Sequence, residues 1–127
     1  MEINKDFLGK LFEQAVENPR LRQSYDLRTS SDDNSQRILN VLLPGTAVSI
    51  HRHENTTETV ICLCGKLDEV IYEEAQIDGK VEYREVQRIH LCPAQAEYDC
   101  QIPKGAWHTE VIEPSVIFEV KDGAYKG

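Results

Sequence analysis

No run of apolar residues in this 127-residue chain approaches the roughly 20 that a helix needs to cross a bilayer. The opening stretch MEINKDFLGKLFEQ breaks its apolar residues with acids and lysines. It does not read as a signal peptide, and the expectation is a cytoplasmic protein with no membrane partner. Clustered positive charge is missing too. Fourteen Lys and Arg stand against 22 Asp and Glu, for a formal net charge of -8. Binding nucleic acid takes concentrated Lys and Arg to displace counterions, so that class of partner is set aside. The acidity is read as solubility. Nor is there a C-x-x-C. The four cysteines are Cys62, Cys64, Cys92 and Cys100, the first two forming C-x-C. That spacing suits small buried hydrophobes better than a thiolate metal site, with Cys62 and Cys64 packed inward below the site described next. Repeats and low-complexity tracts are absent, and the length fits one domain, residues 1–127, around one core.

What is present falls into two periods. Residues 4–18 place Phe7, Leu8, Leu11, Phe12, Ala15 and Val16 at helical spacing, with Asn4 as cap, Asp6 in the first turn and Asn18-Pro19 as the stop. Residues 1–19 are thus an amino-terminal helix, which needs a surface to pack on because a helix so short is marginal alone. From residue 36 to 121 the period becomes two. Strands are expected at Gln36–Leu43, Thr46–His53, Glu58–Cys64, Leu67–Glu73, Val81–Leu91, Tyr98–Ile102, Trp107–Ile112 and Val116–Lys121. Turns are expected at Pro44-Gly45, Gly65-Lys66, Asp78-Gly79, Pro103 to Gly105 and Glu113-Pro114. Many short strands between regular turns predict an all-β barrel or sandwich.

One stretch carries chemistry: HRHENTTE, residues 51–58. His51 and His53 lie two apart on an expected strand, so both point to one side, with Cα atoms about 6.6 Å apart at the usual rise. Imidazoles so placed can converge on one ion. Glu58 returns on the next strand, and His108, after a Pro-x-Gly turn, is the candidate for the remaining ligand. The set His51, His53, Glu58 and His108 predicts one divalent metal, which these nitrogen and oxygen donors allow to be Zn, Fe, Ni, Mn or Co. Glu110 is two residues past His108 and should share its inward face, either as a paired carboxylate or as a catalytic acid/base beside the metal. His90 fits no ligand pattern and is read as structural. Trp107 should face outward, under the helix or in a subunit contact. Arg52, between the two histidines, should point away from the site.

Residues 45–65, GTAVSIHRHENTTETVICLCG, match G-x5-H-x-H-x4-E-x6-G at each defined position, and Pro103, Gly105 and His108 match P-x-G-x2-H. In these motifs the chain resembles the cupin superfamily. With ENPRLR, QRILNVLLPGTAVSIHRH and FEVKDGAY it resembles the small WbuC-type cupins of bacterial polysaccharide gene clusters. The resemblance implies a cupin double-stranded β-helix, a jelly-roll barrel, with the helix packed outside. It also implies a metal-binding protein acting on a small molecule such as a sugar or sugar nucleotide, by isomerisation, epimerisation or another metal-assisted step. A non-catalytic ligand-binding or sensory module and an Fe(II) dioxygenase are the alternatives. Barrels of this type often pair through sheet edges, so a homodimer is expected.

Overall fold

A computed structural model describes residues 1–122 of the chain. Helix α1 spans Lys5–Glu17, followed by strands β1 (Arg22–Asp26), β2 (Ser35–Leu42), β3 (Glu58–Ile77), β4 (Lys80–Leu91), β5 (Asp99–Ile102) and β6 (Trp107–Asp122). The last three residues of the FEVKDGAY resemblance, 123–125, lie outside the described residues.

The helix starts where its cap does. The Asn4 side-chain oxygen accepts the Phe7 N–H at 2.9 Å, satisfying one of the donors a helix start leaves open. It stops at Asn18, whose backbone is extended, as a residue before proline prefers. Leu11 and Ala15 are buried against Leu39, Val41 and Val116, with Phe7, Leu8, Phe12 and Phe118 around them. Val16, expected on this stripe, is 65% exposed. It sits at the edge of the helical face, where β2 and β6 do not reach.

The strands are antiparallel throughout, in the order β1-β2-β6-β3-β4, with β5 also on β3. Asp78-Gly79 makes the β3–β4 hairpin, both residues with positive φ, as a two-residue turn requires. Two other expected turns are not turns. Gly65-Lys66 lies inside the continuous β3, and Glu113-Pro114 inside β6. Each marks an irregularity where β3 and β6 pair. The two irregularities touch. Gly65 has φ +77°, and a Cβ built there would sit 1.9 Å from the Pro114 carbonyl oxygen. Only glycine lets the two backbones come this close.

These bulges reset which residues face inward. On β3 the inward set runs Glu58, Val60, Cys62 and then Leu67, Glu69, Ile71. On β6 it runs His108, Glu110, Ile112 and then Ser115, Ile117, Glu119. The even alternation breaks once on each strand, since an extra residue shifts every later side chain to the other face. Cys64 consequently leaves the interior for the helix side, whereas Cys62 stays in the inner cluster with Val60, Leu67 and Ile117. Two further differences from expectation concern strands. Arg22–Asp26 is a strand that its polar sequence does not announce. Thr46–His53 is not a strand, and its pairing is a single bridge from His51 to His108. The Val48 carbonyl accepts the Thr109 hydroxyl at 2.7 Å, so a side chain stands where a ladder bond would.

The four cysteines are free thiols. Burial pushes the Cys62 thiol up to about 11 and that of Cys100 up to about 12, as expected for packing residues. No helix is long and apolar enough to cross a membrane among the described residues.

Candidate metal centre

His51 and His108 are joined through their backbones. His51 N–H donates to the His108 carbonyl at 3.0 Å and His108 N–H to the His51 carbonyl at 2.8 Å. The carbonyl of His53 accepts the Gly105 N–H at 2.7 Å. The Pro-x-Gly turn before β6 therefore clamps the histidine segment from its other end. The bridge brings the three rings together, with centroids 4.2 Å apart for His51 and His108, 5.4 Å for His51 and His53, and 5.6 Å for His53 and His108. One donor nitrogen from each ring lies within 4.8 Å of the other two, so the three histidines could hold a metal ion.

The ring orientations suit that use. Nδ1 of His51 is 2.9 Å from the Ser49 carbonyl and Nδ1 of His108 is 3.2 Å from that of Ala106. A proton on each Nδ1 satisfies these carbonyls and leaves Nε2 as a lone pair, the usual way a backbone acceptor fixes a ligating tautomer. His108 is fully buried, and its Nε2 has no hydrogen-bond partner. Burial, then the neighbouring His51, holds its pKa down to about 4, so the ring is neutral and able to ligate at neutral pH. Glu58 is 2% exposed. One of its oxygens is 3.3 Å from His53 Nε2 and the other 3.8 Å from His108 Nε2. Burial acts to raise the Glu58 carboxyl, but the His53 hydrogen bond and the charges of the three imidazoles outweigh it and leave the group below its ordinary value. Buried polar atoms left unpaired are costly. An orphaned imidazole nitrogen beside an orphaned Glu58 oxygen is what a cation between them would satisfy.

The structure also places residues that strand parity overlooked. Glu110 lies on the inner face of β6, and its cross-strand partner on β3 is Glu69. Glu119 shares the inner face with Ile38 and Val60, its partners on either side. The Asn40 side chain donates to Glu119. Counted from Glu58 and His108, Glu69 and Glu119 fall at odd steps and would be assigned to the outside. The bulges bring them in. A signal did exist: Leu67-x-Glu69-x-Ile71 and Ile117-x-Glu119 each set a carboxylate in line with apolar neighbours. Burial, followed by the Glu58 charge, pushes Glu110 up to about 7. Burial with the neighbouring carboxylates holds both Glu69 and Glu119 well above the ordinary range. Four carboxyls thus share one interior, and it is less acidic at neutral pH than their number implies.

The remaining candidates lie elsewhere. His90 is exposed and paired with Asp68 at 2.6 Å. Arg52 points out of the site, pairing with Glu54 at 2.8 Å and lying 4.6 Å over the Trp107 ring. Trp107 packs on Tyr83 of β4, ring centroids 5.1 Å apart; the helix packs on other residues.

The antiparallel strands and the outer helix form the cupin jelly-roll fold, and solved structures agree on that fold. KdgF from Halomonas sp. superposes with a TM-score of 0.58 at 14% identity, over 85% of this chain and 84% of that one. TT1209 from Thermus thermophilus gives 0.56 at 24% identity, over 97% and 98%. A cupin-2 domain containing protein from Shewanella frigidimarina gives 0.56 at 21%, over 96% and 94%. No curated protein matches the chain in sequence. Residues 3–86 match the family described as Domain of unknown function (DUF6016), and the chain belongs to that family.

Proposed function

We propose that this chain is a metal-dependent cupin that acts on a small molecule, a sugar or sugar nucleotide, by isomerisation, epimerisation or a related step. One observation carries this reading: three imidazole nitrogens within 4.8 Å of one another beside the buried, incompletely satisfied Glu58. His51, His53, His108 and Glu58 would hold the ion, which when bound supplies Lewis acidity to a substrate oxygen. Glu110 is the acid/base. A carboxyl held near pH 7 can take and return a proton at working pH. Glu69 stands across the strand pair from it. The sugar assignment rests on the WbuC-type resemblance, and the KdgF and CapF structures among those of similar fold are in keeping with it. The same resemblance supports a role in polysaccharide synthesis in the cytoplasm. A homodimer is supported by the edge strand β4, on which Val81, Tyr83 and Val86 are exposed.

The test is metal content, by elemental analysis of protein purified without affinity metals. Wild type should carry close to one divalent ion per chain, and the double variant His51→Ala, His53→Ala essentially none. A double variant with undiminished metal refutes the ligand set. Glu110→Gln should keep the metal and lose turnover; metal-loaded wild type that binds a sugar without converting it makes the protein a binding module instead.

A further inference from the structure

Resting on the homodimer reading and placing its contact away from the β4 edge, we infer that a second copy of this chain docks on α1, the two helices packing antiparallel across a two-fold axis. An open groove of about 1120 Å³ runs between α1 and the outer face of the sheet, with Ile3, Phe12, Leu63, Cys64 and Phe118 among its lining residues. Ile3 is 40% exposed and Leu63 39%. Leu63 is the residue that the pairing of β3 with β6 passes over, since Cys62 faces Ile117 and Cys64 faces Val116. The bulge thus sets a leucine on the surface beside the helix, where neither core cluster includes it. A contiguous apolar surface left open in this way marks an interaction site.

The occupant follows from the helix. Lys5, Gly9, Phe12 and Val16 recur at helical spacing and form one stripe along the flank of α1. Gly9 lies inside the helix, where glycine costs stability relative to alanine, and a Cβ built on it would meet nothing within 4 Å. The fold of one chain therefore gives no reason for glycine there. A second helix does, because the residues at a crossing set how closely two helices approach. Read antiparallel, the stripe is its own complement. Gly9 falls opposite the partner's Phe12, and Phe12 opposite the partner's Gly9, a ring over a gap on each side of the axis. Lys5 falls opposite the partner's Val16, with the partner's Glu13 one turn away, so the ammonium of each copy meets a carboxylate of the other. A two-fold contact demands this reciprocity. It also covers Val16, which is 65% exposed in the single chain. A ligand of one charge finds no such match, since Lys5 and Lys10 are balanced along the groove by Asp6 and Glu13. The β4 edge is the competing surface. It carries Lys80, Glu82, Arg84, Glu85 and Arg88, charges of the kind that keep an edge from pairing, and its Tyr83 is already stacked on Trp107.

The experiment is sedimentation equilibrium on the full chain over a range of concentrations, with metal content followed alongside. Wild type should dimerise. Gly9→Gln places its side chain in open space on the single chain and favours the helix. The melting temperature of the dilute monomer should therefore hold or rise, while the dimer dissociation constant rises at least tenfold. Lys5→Glu should raise that constant at least threefold, and adding Glu13→Lys should bring it back, because the swap rebuilds the pair between copies. Metal content should not change in any variant. A Gly9→Gln dimer as tight as wild type would overturn the inference, and if Val86→Lys then splits that dimer, the homodimer reading stands with its contact on β4. A double swap that dimerises no better than Lys5→Glu would overturn the antiparallel alignment. A wild type that stays monomeric at high concentration would overturn both the inference and the homodimer reading, leaving the groove to another molecule and the metal site untouched.

Discussion

Strands β2 and β6 present two unlike faces from one backbone. Toward α1 they show Leu39, Val41, Val116 and Phe118, a dry apolar surface. Toward the interior they show Gln36, Asn40, Ser115 and Glu119 among apolar neighbours. Among the described residues, each buried polar side-chain atom without a partner belongs to Gln36, Glu58, Glu69, His108, Glu110 or Ser115, and all six face inward. An unpaired buried polar group costs about 1–3 kcal/mol. The outer face is apolar throughout, whereas the inner face carries these polar groups within an apolar cluster of its own that includes Leu42, Val60, Cys62, Leu67 and Ile117, and each unpaired one detracts from the stability that cluster gives, as expected where packing has been given up for binding.

The strongest way to break that division is at the outer face. Leu11 is 4% exposed in the helix–sheet cluster, so Leu11→Ala should cost about 2–5 kcal/mol in chemical denaturation. Metal content should not change, because α1 carries none of the candidate ligands. Loss of metal in a variant that is still folded would show that the two faces are not separable.

The inner face responds to pH instead. Burial, and then the charges of Glu110, Glu119 and Glu58, raise the folded-state pKa of Glu69. Its contribution to stability is thus fully present below the unfolded value near 4.5 and is lost as pH rises through the folded value. Glu69→Gln has no proton to lose. In metal-free protein the melting temperature of Glu69→Gln relative to wild type should climb between pH 5 and pH 8, by on the order of 5 °C. His108 works in the opposite sense. Its depressed pKa means stability is lost as pH falls from 6.5 toward about 4, but that loss is common to both proteins and cancels in the difference. A flat difference across the range would mean that the inner carboxyls do not resist ionisation.

The helix, its cap, the Asp78-Gly79 hairpin and most strands were legible in the sequence, because periodicity and turn chemistry are local. So were the three histidines and Glu58, since two fixed spacings carry them. Strand parity failed at the bulges. Gly65 and Pro114 look like turn residues because both disrupt a ladder, and only the pairing of β3 with β6 shows that they disrupt it together and the strands continue. Glu69 and Glu119 were hidden by the same event, and Cys64 was assigned to the wrong face by it. Residues 46–53 alternate like a strand, but whether a partner edge lies alongside is a tertiary fact. The histidines converge regardless, because one bridge to His108 and the hydrogen bond from Gly105 to His53 set their place.

The smallest expected effect sharpens the comparison by testing what holds α1. Asn4 accepts the Phe7 N–H, and Asp6 adds negative charge to the first turn. Removing the cap by Asn4→Ala leaves an exposed N–H that water can serve, so the loss should be about 1 kcal/mol. Asn4→Asp keeps the acceptor and adds charge at the positive end of the helix dipole, so it should be neutral or stabilising by a few tenths of a kcal/mol. If packing on β2 and β6 holds the helix, Asn4→Ala must cost clearly less than Leu11→Ala, and amide exchange should quicken mainly in the first turn. Equal losses from the two variants would mean that initiation of the helix governs the outer face, and its stability would then lie in the cap more than in the apolar surface the strands provide.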